Sequence, residues 1–186
     1  MTPRQLKNNI FDGNHPIKQH QAAYQMRYVK NDPEIIDILF CACYESTDFK
    51  LQQIAVESLK ILKPEAILKA FISSTHHKNS DNRRRAYCNL GILGSDKAIK
   101  EVLKGFSDSD ISVREAAVIA AGKIANAPHA IIQLNKLIRG FEPETVKKAA
   151  IRSVRYIQNR LEKQSGRFVH QRKKPQKKAE YVPTAF

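Results

Sequence analysis

The sequence is poor in the residues that build metal centres, disulfide frameworks and membrane spans. It has no tryptophan, three cysteines and two methionines among its 186 residues. No apolar run approaches the about 20 residues that a membrane-spanning helix needs. The segment from Met1 to Asn14 lacks the basic, apolar and small-residue order of a signal peptide. These absences predict a cytoplasmic protein without a membrane partner.

The cysteines do not form a recognisable metal or disulfide pattern. Cys41 and Cys43 are two residues apart in an apolar helical segment, and Cys88 lies far away in the sequence. Residues at i and i+2 point to different sides of a helix, so the pair cannot chelate one ion with good geometry. We expect reduced, mostly buried thiols that serve as core residues.

The residue patterns of common catalytic sites are also missing. The sequence has no glycine-rich phosphate loop and no His-Glu-x-x-His motif. Of the six histidines, His76 and His77 fall in a polar stretch typical of a solvated loop, and the others are scattered. The sequence therefore predicts no catalytic residue, no metal and no cofactor, and we expect that the protein is not an enzyme.

An internal repeat is the strongest positive pattern. Five alanines recur at spacings of 33, 31, 31 and 33 residues, and most have apolar residues four before, four after and seven after them. These anchor alanines are Ala22, Ala55, Ala86, Ala117 and Ala150. The offsets describe one stripe of a helix, and a small residue at its centre lets a second helix approach to about 8–10 Å. No segment alternates strictly between apolar and polar residues, so no sheet is expected.

Helix start signals divide each repeat into two helices. Between the anchored stripes lie further apolar stripes, preceded by Asp32-Pro33, Pro64, Ser95-Asp96 or Ala127-Pro128. Three loop aspartates are predicted as N-caps of the anchored helices: Asp48, Asp81 and Asp110. Thr2-Pro3 predicts a short helix to about Phe11 that would act as a half-repeat cap.

The segment Asp110-x-x-Val113-Arg114, followed by the alanine-rich helix, resembles HEAT repeats of the short, roughly 31-residue kind found in bilin lyases. The resemblance covers about residues 14–160. It implies an all-α solenoid of about five HEAT-like hairpins over residues 1–166, with a cap helix in 1–13 and a last helix at about 145–164. It also implies that Arg83 and Arg114 bond loop aspartates of neighbouring repeats, for which Asp48, Asp81 and Asp110 are available.

The positive charge is concentrated at one end of the chain. Residues 1–80 and residues 81–144 each hold 10 Lys and Arg against 8 Asp and Glu, whereas residues 145–186 hold 12 against 2. On the last helix, Lys148, Arg152 and Arg155 fall on one outward face. Residues 167–186 form a basic tail that is too polar to fold alone. Its cations are Arg167, Arg172, Lys173, Lys174, Lys177 and Lys178.

These cations and two other features are the candidate binding residues. Within the repeats, Arg84 and Arg85 have no predicted structural partner and are candidates to face a ligand. At the end of the chain, Tyr181 and Phe186 are suited to docking in a groove of a partner.

Three functions fit the sequence, and we expect the first of them. The first is a non-catalytic scaffold or adaptor that binds an unidentified protein through the repeat surface and the basic arm, which would suit an acidic partner. The second is sequence-independent binding of RNA or DNA through the basic end. The third, a bilin-lyase-like chaperone, is implied by the resemblance alone. The oligomeric state is not predicted.

Overall fold

The computed structural model describes residues 3–12, 14–29, 32–62, 64–124 and 128–164, and its regular structure there is entirely helical. Two short 3-10 turns, Asp96–Ala98 and Gly105–Ser107, flank the helix Ile99–Lys104. The helices are α1 (Pro3–Ile10), α2 (Pro16–Met26), α3 (Pro33–Glu45), α4 (Phe49–Leu62), α5 (Pro64–Ser74), α6 (Ser80–Leu93), α7 (Ile99–Lys104), α8 (Ile111–Ile124), α9 (Pro128–Arg139) and α10 (Glu144–Gln164).

The described helices form a solenoid of five hairpins. We call α2, α4, α6, α8 and α10, which carry the anchor alanines, the anchor helices, and the others the partner helices. Each anchor helix packs more against the partner helix before it than against the one after it, and successive anchor helices stack on one another. The predicted all-α solenoid is therefore confirmed. Helix α1 packs against α2, and its role as a half-repeat cap stays a prediction.

The anchor alanines lie where the sequence pattern places them. All five have no exposed surface. The need for a small residue is visible at Ala117 of α8, which lies against Gly105 in the turn between α7 and α8. A Cβ atom added to Gly105 would lie 2.7 Å from the Cβ of Ala117 and 2.5 Å from the ring of Tyr87. A larger side chain at the anchor would therefore push the partner helix away and open the core.

The helix caps follow a constant offset from the anchors. Asp48 accepts hydrogen bonds from the backbone N–H groups of Lys50 and Leu51 at 2.8 and 3.2 Å, and Asp110 caps α8 in the same way. Both lie seven residues before their anchor. The prediction for Asp81 is wrong, because the cap of α6 is Asn79, which accepts from the N–H of Asp81 at 2.8 Å. Asn79 also lies seven residues before its anchor.

Candidate binding surface along the anchor helices

Two arginines tie consecutive repeats together. Arg83 of α6 donates from Nε and Nη2 to both carboxylate oxygens of Asp108, each at 2.8 Å. Arg114 of α8 occupies the equivalent position and donates from Nε to Glu142 at 3.0 Å. The resemblance implies such a row of arginine–carboxylate bonds between consecutive repeats, which we call the arginine ladder. The ladder is therefore present. Its acids are Asp108 and Glu142, which precede the next anchor helix.

The aspartates that were expected to bond the ladder arginines make other contacts. Asp48 and Asp110 cap helices, and Asp48 also contacts Nε2 of His20 at 2.6 Å. Asp81 pairs with Arg84 on the surface. A carboxylate within a residue or two of a helix start meets the free N–H groups there first, because they are closer than a guanidinium on the preceding repeat.

The ladder arginines also hold the loops behind them. Nη1 of Arg83 donates to the backbone carbonyls of His77 and Lys78, both at 3.0 Å. Nη1 of Arg114 makes the equivalent bonds to the carbonyls of Asp108 and Ser109 at 2.8 and 3.2 Å. The hydrogen bond from Arg83 holds the pKa of the Asp108 carboxyl below its ordinary value, although partial burial opposes this. Each arginine is thus engaged on two sides and serves the fold.

The opposite side of the anchor helices carries exposed apolar side chains. The position six residues after the anchor holds an aromatic or branched residue in four of the five repeats, and the position two residues after it does so in the repeats of Ala22 and Ala117. We call this side, together with Phe49 at the start of α4, the groove face. Its large exposed apolar residues are Tyr24, Tyr28, Phe49, Ile61, Ile119 and Tyr156, and they are between 43% and 68% exposed.

A cleft on the groove face is shared by four anchor helices. It measures about 370 Å³ and is lined by residues that include Phe49 of α4, Ile92 of α6, Lys123 of α8 and Tyr156 of α10. Since α4 and α10 are separated in the stack by α6 and α8, side chains from both can line one cleft only if this face curves inward. A second cleft of about 230 Å³ lies between α8 and α10, next to Ile119 and Tyr156.

Positive charge lines the α10 end of the groove face. Arg160 lines the four-helix cleft and donates from Nη2 to the carbonyl of Gly122 at 2.8 Å. Arg152 lines the second cleft, and Lys123 lines both. Glu57 lies at the α4 end of the four-helix cleft. The groove face therefore combines an exposed aromatic ring, Tyr156, with cations close to it.

The predicted site residues on α10 lie on its surface. Lys148, Arg152 and Arg155 are all exposed. Lys148 lies 3.8 Å from Glu144, and Nε of Arg152 donates to the carbonyl of Lys148 at 3.3 Å. These are weak surface contacts that leave the charges available to a ligand.

Arg84 and Arg85 have structural partners that the sequence did not predict. Arg84 donates to Asp81 at 3.4 Å, and Arg85 donates from Nη1 to the carbonyl of Ser46 at 3.1 Å. Arg85 thus links α6 to the loop before α4. The predicted tail residues lie outside the described residues: Arg167, Arg172, Lys173, Lys174, Lys177, Lys178, Tyr181 and Phe186.

Sequence reasoning missed the apolar part of the groove face. The signal was present, because the offsets of two and six residues from an anchor point away from the core stripe. At the N-terminal end, Tyr24 and Tyr28 form an edge-to-face pair with ring centroids 6.1 Å apart, and Arg27 lies over the Tyr24 ring at 4.0 Å. Isolated apolar residues at such offsets resemble ordinary surface variation until several helices are stacked side by side.

The described residues contain no group of three His, Cys, Asp or Glu side chains placed to hold a metal ion. Of the three free thiols, Cys43 is buried, Cys88 is half-buried and Cys41 is exposed. Burial raises the pKa of Cys43 to about 12. Within the described ranges, no helix is long and apolar enough to cross a membrane.

Comparisons with known proteins point to one repeat family. Residues 68–155 match the family model described as HEAT repeats. Among solved structures, the chain is similar to one from the complex of CpcE and CpcF of phycocyanin lyase from Nostoc sp., with 19% identity and a TM-score of 0.52. That match covers 86% of this chain but 66% of the other, and at this identity it shows the fold alone.

Two engineered proteins are also similar to the chain. One has 20% identity over 84% of this chain and 80% of its own, with a TM-score of 0.44. The other has 20% identity over 82% of this chain and 47% of its own, with a TM-score of 0.42. No curated protein matches the chain.

Proposed function

We propose that this chain, which matches HEAT repeats over residues 68–155, is a scaffold that holds a segment of a partner protein in its groove face. The observation that carries the proposal is the four-helix cleft, in which exposed apolar side chains from separate repeats line one inward-curving surface. Repeat proteins use extended surfaces of this kind to hold partners, since stacking creates a long face from many small contributions.

The composition of the groove face supports a protein ligand. Exposed Tyr and Phe rings with a polar surround are the residues that dominate binding energy at protein interfaces. Tyr156 is 67% exposed and Phe49 is 58% exposed, and both line the same cleft. A partner would bury these aromatic side chains. Each ring would then stabilise the complex, because apolar area that contacts water in the free protein is removed from water.

The charge distribution supports an acidic partner segment. Residues 145–186 carry 12 Lys and Arg against 2 acids. Arg152 and Lys123 lie at the α10 end of the groove face, on the side where this excess begins. The basic arm would speed the association of a partner that has carboxylates at that end, because opposite charges attract. The cations of the groove face would then orient the bound segment.

The proposal is tested by affinity capture from cells that make the protein, with nuclease added. Tyr156→Ala combined with Ile119→Asp should remove the specific partner. Ile132→Asp, which changes a similarly exposed isoleucine on α9, should retain it. If the groove variant captures the same partner as the unchanged protein, the groove face is not the binding surface. If the two bait proteins and a resin control recover the same proteins, the scaffold proposal itself fails.

Sequence-independent binding of RNA is a second candidate, favoured by one specific observation. On α10 the exposed ring of Tyr156 lies in a cleft with Arg152 and Lys123, and stacking beside cations is how single-stranded nucleic acid is bound without sequence preference. If about six phosphates are neutralised, log K should fall with log salt with a slope near −4 to −5. Binding of a generic single-stranded RNA should then weaken when the five cations of residues 172–178 are changed to glutamine. A salt-independent affinity would exclude this function.

A further inference from the structure

The last anchor helix leaves open a face that is covered on every earlier one. The residue after each anchor is at most 3% exposed on α2, α4, α6 and α8, where it is Ala23, Val56, Tyr87 and Val118. On α10 the same position is Ile151, which is 46% exposed. The next anchor helix covers this position in the stack, and no further helix follows α10 in the described part of the chain. We call this side of α10 the end face.

In earlier repeats, the equivalent face of an anchor helix contacts the anchor helix that follows it. The hydroxyl of Ser58 on α4 donates to the carbonyl of Ala23 on α2 at 2.8 Å, and Ser153 on α10 donates to the carbonyl of Val118 on α8 at 2.9 Å. Both serines lie three residues after their anchor and reach the carbonyl one residue after the preceding anchor. The position of Ile151 is thus the contact point for a following helix.

The last cation of the arginine ladder, on α10, has no acidic partner among the described residues. Lys147 occupies on α10 the position of Arg83 on α6 and Arg114 on α8, three residues before the anchor. Arg83 and Arg114 each bond an acid of the next repeat. Among the described residues, Lys147 has no carboxylate within salt-bridge distance. The cation for one more ladder bond is present, and its acid must come from elsewhere.

The residues at the ladder offsets from Lys147 are not acids. The ladder acids lie 25 and 28 residues after their arginines. The same offsets from Lys147 lead to Arg172-Lys173-Lys174-Pro175, which contains no acid. The next anchor would fall at 181–183, where Tyr-Val-Pro stands in place of an alanine. The sequence of the tail therefore lacks both marks of a further HEAT repeat.

A second copy of the chain is a poor occupant of the end face, because its charge does not complement that of α10. Helix α10 carries six Lys and Arg against two Glu, so two end faces in contact would place like charges together. Stacking α2, the first anchor helix of another copy, on the end face is no better, because α2 contains Lys18 and no acid.

We propose that the end face of α10 docks a helix of another protein, one that carries small or apolar residues flanked by carboxylates. Ile151 supplies the apolar contact, and Lys147 and Arg155 flank it with positive charge. The docked helix covers the position that each following anchor helix covers inside the stack, and one of its carboxylates completes the ladder at Lys147. This surface is separate from the groove face, so the inference does not rest on the proposed function.

The test uses two synthetic helical peptides and the full-length protein. Both peptides have a stripe of Ala and Leu; one flanks it with Glu and the other with Lys. Binding is measured by fluorescence anisotropy for the unchanged protein, Ile151→Asp, Lys147→Glu with Arg155→Glu, and the control Ile132→Asp. Circular dichroism of each variant verifies that the helices are retained, as expected for changes at the half-buried Lys147 and at the exposed Ile132, Ile151 and Arg155.

We expect the Glu peptide to bind the unchanged protein and the control alike, and to bind Ile151→Asp and the charge-reversed variant about tenfold more weakly. The Lys peptide should not bind. Equal binding of both peptides overturns the proposal, because the end face would then not select for carboxylates. Binding of the Glu peptide that does not respond to Ile151→Asp also overturns it, because contact with the basic tail would explain that result. Absence of binding also overturns it.

Two further outcomes identify a different occupant. If the unchanged protein sediments as a dimer that Ile151→Asp dissociates, the end face is an interface between copies of this chain. If single-stranded RNA displaces the Glu peptide from the unchanged protein and its own binding is weakened by Ile151→Asp, the end face binds nucleic acid. Either result contradicts docking of an acidic helix.

Discussion

Gly122 of α8 lies directly against Ser153 of α10. A Cβ atom added to Gly122 would come within 2.6 Å of the Ser153 hydroxyl oxygen and within 2.9 Å of its Cα. The serine hydroxyl in turn bonds the carbonyl of Val118. The two helices therefore approach as closely as their backbones allow, and this contact fixes where α10, with its basic surface, stands relative to the groove face.

Gly122→Ala should destabilise the protein by about 1–3 kcal/mol, since the new methyl group meets backbone as well as side-chain atoms. Helix propensity alone would make this substitution stabilising, because it favours Ala over Gly by about 1 kcal/mol. We expect the steric clash to outweigh that gain. Urea denaturation of the two proteins measures the difference. Asn159→Ala, at an exposed position of α10, is the control and should change stability by a few tenths of a kcal/mol at most. A stabilised Gly122→Ala variant would mean that the helices do not pack this closely.

Asp108→Asn should lower the stability at pH 7 by about 2 kcal/mol, because it removes a two-point contact with the charged group of Arg83. The pKa of Asp108 is lowered from its ordinary value of 3.8. Its ionised form therefore contributes stability that is fully present above that value and is lost as the pH falls through the lower folded-state pKa.

The difference between Asp108→Asn and the unchanged protein should accordingly shrink below about pH 4. Urea midpoints measured from pH 3 to pH 7 follow it. Asp81→Asn serves as the matched control, since Asp81 pairs with Arg84 only on the surface. A difference that stays constant over this pH range would show that the ionised carboxylate is not what stabilises the contact.

Asn79→Ala should cost about 1 kcal/mol, because Asn79 caps α6 through the N–H of Asp81. Asp81→Ala should cost less, since its carboxylate is exposed and only pairs with Arg84. Thermal or urea unfolding of both variants ranks them. The reverse order would restore Asp81 as the cap that the sequence pattern favours.

The three thiols should react with a disulfide reagent at separate rates. Cys41 is exposed and should react first, Cys88 is half-buried and should follow, and Cys43 should react only when the protein unfolds. Burial raises the pKa of Cys41 above its ordinary value, with help from Glu45 and Asp37. Its reaction should therefore still accelerate above pH 8, as more thiolate forms.

Cys41→Ser identifies the fast phase by removing it, and stopped-flow absorbance follows the reaction. A fast phase that survives this substitution would place another thiol at the surface.

The repeat architecture could be predicted from the sequence because it depends on local spacing. The anchors at Ala55, Ala86 and Ala117 mark helices whose buried stripe repeats with the helical period, and each of these alanines is fully buried. The assignment of helices to hairpins could not be predicted in this way. Partner and anchor helices alternate along the chain, and only packing decides that α1 pairs with α2 and α9 with α10.

The candidate surfaces divide in the same way. The sequence alone determined the anchor spacing, the presence of a ladder arginine at Arg83 and Arg114, and the concentration of charge after residue 144. The tertiary structure decided that Asp108 and Glu142 are the ladder acids and that Phe49 and Tyr156 share a cleft. The physical reason is distance along the chain. Helix periodicity and capping act within about seven residues, whereas contacts between repeats join residues about 25 to 35 positions apart, and only the stacking of whole helices brings these together.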